Sequence, residues 1–279
     1  MTPVRTPVVD ETRRRPPDSV AVGGSRTWSL RGKNFAVAVT ELVAGIPLVE
    51  PHAVDEHILI VADDAGAVVT DSAGRSERLT EPSLVVVPAG RSTIEAARDT
   101  VVLRVFAAHD AELMRLAVND GPHDDPAVAP LLTDAIRSGG RLRVHRMSQI
   151  PDQPGRLGRI FCTSSLMINW FPTKIGARDP EALSPHAHDD FEQMSVTLQG
   201  AFVHHFRTPW TTRMSEWRDD DHVSVDSPSM VLIPPNLIHT TSWTGEGAHV
   251  LVDVFAPPRE DFLAEGWVIN ADEYAGTSA

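Results

Sequence analysis

Short apolar runs separated by turn signals fill the first hundred residues. Phe35–Val43, Ile58–Ala62, Ala67–Thr70, Leu84–Val87 and Val101–Phe106 are rich in β-branched, aliphatic or aromatic side chains. Asp63-Asp64-Ala65-Gly66, Ser72-Ala73-Gly74 and Pro88-Ala89-Gly90 separate them. Strands this short at such regular spacing predict a sandwich or barrel. The same pattern returns after residue 140 in Ile160–Phe171, Met194–Leu198, Ala201–Arg207 and Ser229–Ile233. Between the two groups the period changes. Ala111–Val118 carries Leu113, Leu116 and Ala117 at helical spacing. Asp125-Pro126 reads as a cap followed by proline at the first helical position. Pro130 interrupts that start, which leaves Leu131–Ile136, closed by Gly139-Gly140, as the secure part of a second helix.

The two groups of strands also repeat each other. Pro82-Ser83-Leu84-Val85-Val86-Val87-Pro88 matches Pro228-Ser229-Met230-Val231-Leu232-Ile233-Pro234. Val105-Phe106-Ala107 matches Val254-Phe255-Ala256, and Pro51-His52-Ala53 matches Pro185-His186-Ala187, in the same order. The expectation is an all-β chain of two duplicated barrels. Residues 1–25, with Arg13-Arg14-Arg15-Pro16-Pro17 and Gly23-Gly24, read as a disordered, solvated tail. Residues 26–108 form the first barrel, 109–140 a helical linker, and 141–279 the second barrel.

Candidate chemistry gathers in the second half. His186 and His188 alternate along an extended segment and so share a face. Glu192 falls on the same parity, and His239 follows the Pro234-Pro235-Asn236 turn from another strand. Three imidazoles and one carboxylate suit a single divalent ion, and iron, manganese, nickel, copper and zinc all accept such donors. Glu192 is expected as both ligand and catalytic carboxylate. In the first half the positions matching His188 and His239 are Val54 and Thr93, so that barrel is expected to be metal-free. It would cover apolar surface or supply the contact of a homodimer. His204 and His205 are adjacent in a strand and face opposite ways, one outward and one packed. Asn169 and Trp170 likewise sit on opposite faces, so at most one lines the cavity. Thr241 and Trp243 fall on the ligand face and are candidate substrate contacts. Arg213, in the turn-rich segment with Trp210, Trp217, Arg218 and Asp219-Asp220-Asp221, is a candidate partner for a substrate carboxylate.

These residues carry a resemblance. His186-x-His188-x3-Glu192 followed by Gly200 is similar to the first motif of the cupin superfamily, and Pro234-x-Asn236-x2-His239 to the second. Asn236 stands where the motif usually has glycine and shares its tolerance of a left-handed turn. Trp243 replaces the usual asparagine, Pro180 stands where a glycine usually opens the first motif, and seven residues rather than six separate Glu192 from Gly200. The resemblance implies two tandem cupin jelly rolls, a bicupin, with the metal inside the second. Its ligands resemble the three-histidine, one-glutamate set of quercetin dioxygenase-like and germin-like members. They are less like the all-histidine set of gentisate dioxygenases.

Composition narrows the functions. A net charge of −13 disfavours nucleic acid as a partner. A single cysteine, Cys162, allows no intrachain disulfide. No apolar run reaches the length of a membrane span, and the N-terminal segment is Pro/Arg-rich rather than apolar. The expectation is a cytoplasmic protein acting on a small molecule. First comes a non-haem iron dioxygenase holding Fe(II), second a metal-dependent sugar-acid isomerase or lyase, third a small-molecule-binding cupin without turnover.

Overall fold

The computed structural model describes residues 5–117, 119, 123–131, 140–153, 155–207, 212–214, 217 and 219–274. Two large antiparallel sheets stack face to face at its centre, and each closes a barrel on its outer side with a smaller sheet. In the first large sheet the strands run Arg143–Arg146, Ser83–Val87, His57–Val61, Thr100–Ala107, Phe35–Leu42, Arg26–Arg31 and Ser19–Val20. In the second they run Val8–Asp10, Ser229–Ile233, Gln193–Gln199, Ala248–Phe255, Met167–Trp170 and Arg159–Cys162. The first six strands of each order correspond, while Ser19–Val20 has no counterpart in the second sheet and Lys174–Ile175 pairs there with Ala248–Phe255 off the main order, so the repeat read from three short matches extends to the topology.

Burial on both faces explains the continuous apolar runs. Leu84 and Val86 enter the core between the sheets, while Val85 and Val87 enter the first barrel. Met230 and Leu232 repeat the first role, and Val231 and Ile233 the second, inside the other barrel. Among the described residues the only α-helices are Ala111–Leu116 and Glu260–Ala264, and none is long and apolar enough to cross a membrane. Asp110 caps the first, its side chain accepting from Leu113 N. Asp125 accepts from Ala127 N, and only a turn follows. Most of the expected helix Leu131–Ile136 lies outside the described residues.

Two boundaries differ from the sequence reading. Val8–Asp10, placed there in a disordered tail, pairs with Ser229–Ile233 and forms the edge of the second sheet. Buried Thr12 fastens it, donating to Pro228 O at 2.8 Å, and Arg15 bridges Asp10 and Asp18. Conversely, Arg143–Arg146, assigned to the second barrel, pairs with Ser83–Val87 of the first. Each half therefore covers the other's open edge, where unpaired backbone groups would otherwise face solvent. The long strand expected over Ile160–Phe171 is a hairpin, Arg159–Cys162 with Met167–Trp170. The Thr163-Ser164-Ser165 segment turns the chain because Thr163 Oγ1 accepts from Ser165 N and Leu166 N.

Candidate metal centre

The second barrel's small sheet, Asp221–Asp226, Ala201–Arg207 and Ile238–Thr244, carries His239 into the barrel. An isolated bridge pairs His186 with His239, with hydrogen bonds in both directions at 3.0 and 2.8 Å. The turn before His239 needs a left-handed residue, and Asn236 supplies it at φ 63°. Among the described residues, His186, His188 and His239 bring their ligand nitrogens within 4.8 Å of one another and could hold a metal ion.

Hydrogen bonding sets the tautomers. His186 Nδ1 donates to Ser184 O at 2.8 Å, and His239 Nδ1 donates to Leu237 O at 2.9 Å. A carbonyl only accepts, so both Nε2 atoms carry lone pairs. That of His239 is buried without a partner, which is what a ligand position looks like before its ion is counted. Burial holds the pKa of His239 near 3 and that of His188 near 4, so both are neutral and ready to bind at physiological pH. Phe191 stacks on His188 at 4.1 Å and fixes the ring.

Glu192 is not part of this cluster. The segment before it is a bend rather than a strand, which begins at Gln193, so counting parity from His186 fails. The Glu192 side chain turns to the first barrel and accepts from Lys33 N at 2.6 Å. Gly32 makes room for it, since a Cβ there would lie 2.5 Å from Oε2. Burial raises the Glu192 pKa. The ligand and catalytic roles expected of Glu192 are therefore corrected: it joins the two barrels. Gln193 stands beside the histidines instead. Its Oε1 lies 2.9 Å from His188 Nε2, close to the roughly 3 Å between neighbouring ligands of one ion at bond lengths of about 2.1 Å. Six residues separate Gln193 from Gly200, which accounts for the odd spacing counted from Glu192.

A cavity of about 390 Å³ opens from the histidines. Leu157, Phe171, Leu251, Phe255 and Phe262 form much of its apolar wall. Thr241 and Trp243 line it, and so does Thr240 between His239 and Thr241. Asn169 lines it as well, whereas Trp170 enters the core between the sheets. Arg213 is exposed and is not among the described lining residues, while Trp210 and Arg218 lie outside the described residues. Among the described lining residues the arginine is Arg178, which sequence reasoning missed. It donates to Thr241 O and Ser184 Oγ and lies 5.1 Å over the Trp243 ring. Also missed was Asp253, buried and accepting from Ser195 Oγ at 2.6 Å. Its only sequence signal was an acid inside the apolar run Val250–Phe255. His204 packs inward with Nδ1 2.9 Å from Thr241 Oγ1, and His205 faces outward beside His222.

The first barrel has filled the equivalent space. Pairing His57 with Val87 and Gln193 with Ile233 makes His57 the counterpart of Gln193. By the same repeat Thr93 corresponds to His239 and Arg104 to Asp253. Thr93 pairs with Val49, as His239 does with His186, so Val49 rather than His52 is the structural counterpart of His186. Buried Arg104 donates to Glu50 at 3.2 Å. A guanidinium thus stands where a cation would go, and the described residues there include no ligand cluster. Arg104→Ala should leave Glu50 buried and unpaired and cost about 3–5 kcal/mol of stability in urea unfolding. A loss below 1 kcal/mol would contradict this account of the pair.

No family model and no curated protein matches the sequence. The fold does match solved structures. A cupin 2 conserved barrel domain protein from Leptotrichia buccalis superposes with a TM-score of 0.50 at 10% identity, covering 91% of this chain and 98% of that one. Lactobacillus farciminis oxalate decarboxylase, in a formate complex, gives 0.54 at 15% identity, covering 86% and 85%. AerE from Microcystis aeruginosa gives 0.56 at 8% identity, covering 92% and 98%. The chain has the cupin fold in its two-barrel form, all-β with tandem jelly rolls. At these identities the likeness speaks for fold alone.

Proposed function

We propose that this protein is a metal-dependent enzyme acting on a small organic anion, with non-haem iron dioxygenation as its chemistry. The neutrality of the donor set carries this reading. His186, His188 and His239, with the amide of Gln193, add no charge, so a divalent ion keeps its full positive charge and open positions. An anionic substrate supplies the missing negative charge. Arg178 adds a cation at the cavity, and Trp243 with the phenylalanines excludes water around the bound molecule. When bound, the ion supplies an electrophilic centre and, if iron, a partner for dioxygen. This donor set is nearer the all-histidine cupin arrangement than the one with glutamate.

A second reading, isomerase or lyase, is favoured by buried Asp253, whose pKa is pushed up to about 7, suited to moving protons. A solved neighbour of similar fold, Bacillus subtilis oxalate decarboxylase, has Mn(II) centres.

The test is metal content after anaerobic purification, followed by oxygen uptake with a panel of small aromatic and aliphatic acids. Near-stoichiometric iron with acid-dependent oxygen uptake supports dioxygenation. Turnover without oxygen uptake selects the isomerase or lyase reading. Tight binding without product leaves a binding protein, and failure to take up metal after reconstitution overturns the proposal. Gln193→Glu adds the missing negative charge and should tighten Co(II) binding at least about tenfold, read by chelator competition. Unchanged affinity would remove Gln193 from the ligand set.

A further inference from the structure

Asp253 occupies an unusual place. It projects from the strand Ala248–Phe255 into the cavity of the second barrel and is the only carboxyl among the described lining residues. The strands on either side place Ser195 and Asn169 opposite it, and neither titrates. The cavity itself presents His186, His188, His239 and part-buried Arg178, and Ser195 is the one side chain with a resolved influence on the Asp253 carboxyl.

One chain of hydrogen bonds joins it to the histidines. His188 Nε2 lies 2.9 Å from Gln193 Oε1, Gln193 Nε2 donates to Ser195 Oγ at 3.1 Å, and Ser195 Oγ donates to Asp253 at 2.6 Å. An ion held by His188 Nε2 and Gln193 Oε1 would replace the proton between them, and Gln193 Nε2 and Ser195 Oγ still donate in one direction, with Asp253 as the terminal acceptor. Polarisation along such a chain is cooperative. Positive charge at the histidine end therefore favours negative charge at the aspartate end.

We propose that Asp253 is the charge-balancing carboxylate of this centre, protonated while the histidines hold no ion and ionised when they hold one. It is a positioning residue, acting on the ion through Ser195 and Gln193. The inference rests on the metal-binding reading above but on no particular reaction. It assigns the compensating charge to a residue remote from the histidine motif in sequence. Burial, the main cause of its raised pKa, favours the neutral form without an ion. A divalent charge in the same cavity reverses that preference. The proton leaves to solvent as the ion enters.

Calorimetric titration of metal-free protein with Co(II), in buffers of different ionisation enthalpy, counts the protons released per ion. At pH 6 the parent should release about one proton more than Asp253→Asn, because the protons of the shared histidines cancel in the comparison. The difference should shrink towards zero by about pH 8.5, where Asp253 has already ionised. Ser195→Ala breaks the chain but keeps the carboxyl, and should weaken Co(II) binding about tenfold or more without abolishing proton release. The infrared carbonyl band of a protonated carboxyl, present in the metal-free parent and lost on adding Co(II), gives a second reading without any variant. Equal proton release by the parent and Asp253→Asn, or a band that survives saturation with Co(II), overturns the proposal. Absence of Co(II) binding by the parent would instead overturn the metal-binding reading beneath it.

Discussion

His239→Ala should empty the centre, whereas Glu192→Gln should leave its metal content at the parent level. His239 is 3% exposed, its Nε2 is buried without a partner, and its ring lies 4.5 Å from that of His186 and 5.2 Å from that of His188. Removing an outer partner of a ligand costs about 10–100-fold in affinity, and removing one of three histidines should cost more. The backbone bridge to His186 survives the change, so the fold is retained. Glu192 meets Lys33 N away from the histidine cluster, and glutamine still offers an oxygen to that donor. Metal per chain after gel filtration, beside thermal midpoints, makes the comparison. Equal loss of metal in both variants would return Glu192 to the ligand set.

The second large effect concerns stability and pH. Burial raises the Asp253 pKa from 3.8 to about 7 in the folded protein. The sign follows from which state holds the proton. Below pH 4 both folded and unfolded chains are protonated at this site, and it contributes nothing. Between pH 4 and 7 the unfolded chain gives up the proton while the folded one keeps it, so stability falls as pH rises. Above 7 the loss is complete, at roughly 4 kcal/mol for a shift of this size. That is a large share of the 5–15 kcal/mol that typically holds a domain folded. Asp253→Asn has no charge to bury. Metal-free Asp253→Asn should match the parent near pH 4 and exceed it increasingly towards pH 8. Urea unfolding at several pH values measures this, and a difference independent of pH would contradict it.

The histidines were legible because their spacing survives without knowledge of the backbone: His186 and His188 lie two apart, and His239 follows a turn that only a few residues can make. Glu192 was misread for a physical reason. Parity holds only along a strand, and the chain bends at Asp189–Asp190 before the strand begins at Gln193. The count to Gly200 already carried the discrepancy. Asp253 hid in an apolar run whose neighbours Val252 and Val254 face the core between the sheets while it faces the cavity. No local pattern says which side of a doubly buried strand holds a site. The exchanged strands were harder still. Val8-Val9-Asp10 is too short to show a period, and its partner lies across the whole chain.

That exchange sets an order of events during synthesis. Val8 pairs with Leu232, so about 220 further residues must leave the ribosome before Val8–Asp10 can dock. At roughly 5–20 residues per second this takes some tens of seconds. The first barrel waits less, because Arg143–Arg146 follows it after the linker. Val8–Asp10 thus serves as a late latch. The half that carries the histidines is sealed only when Val8–Asp10 returns to it.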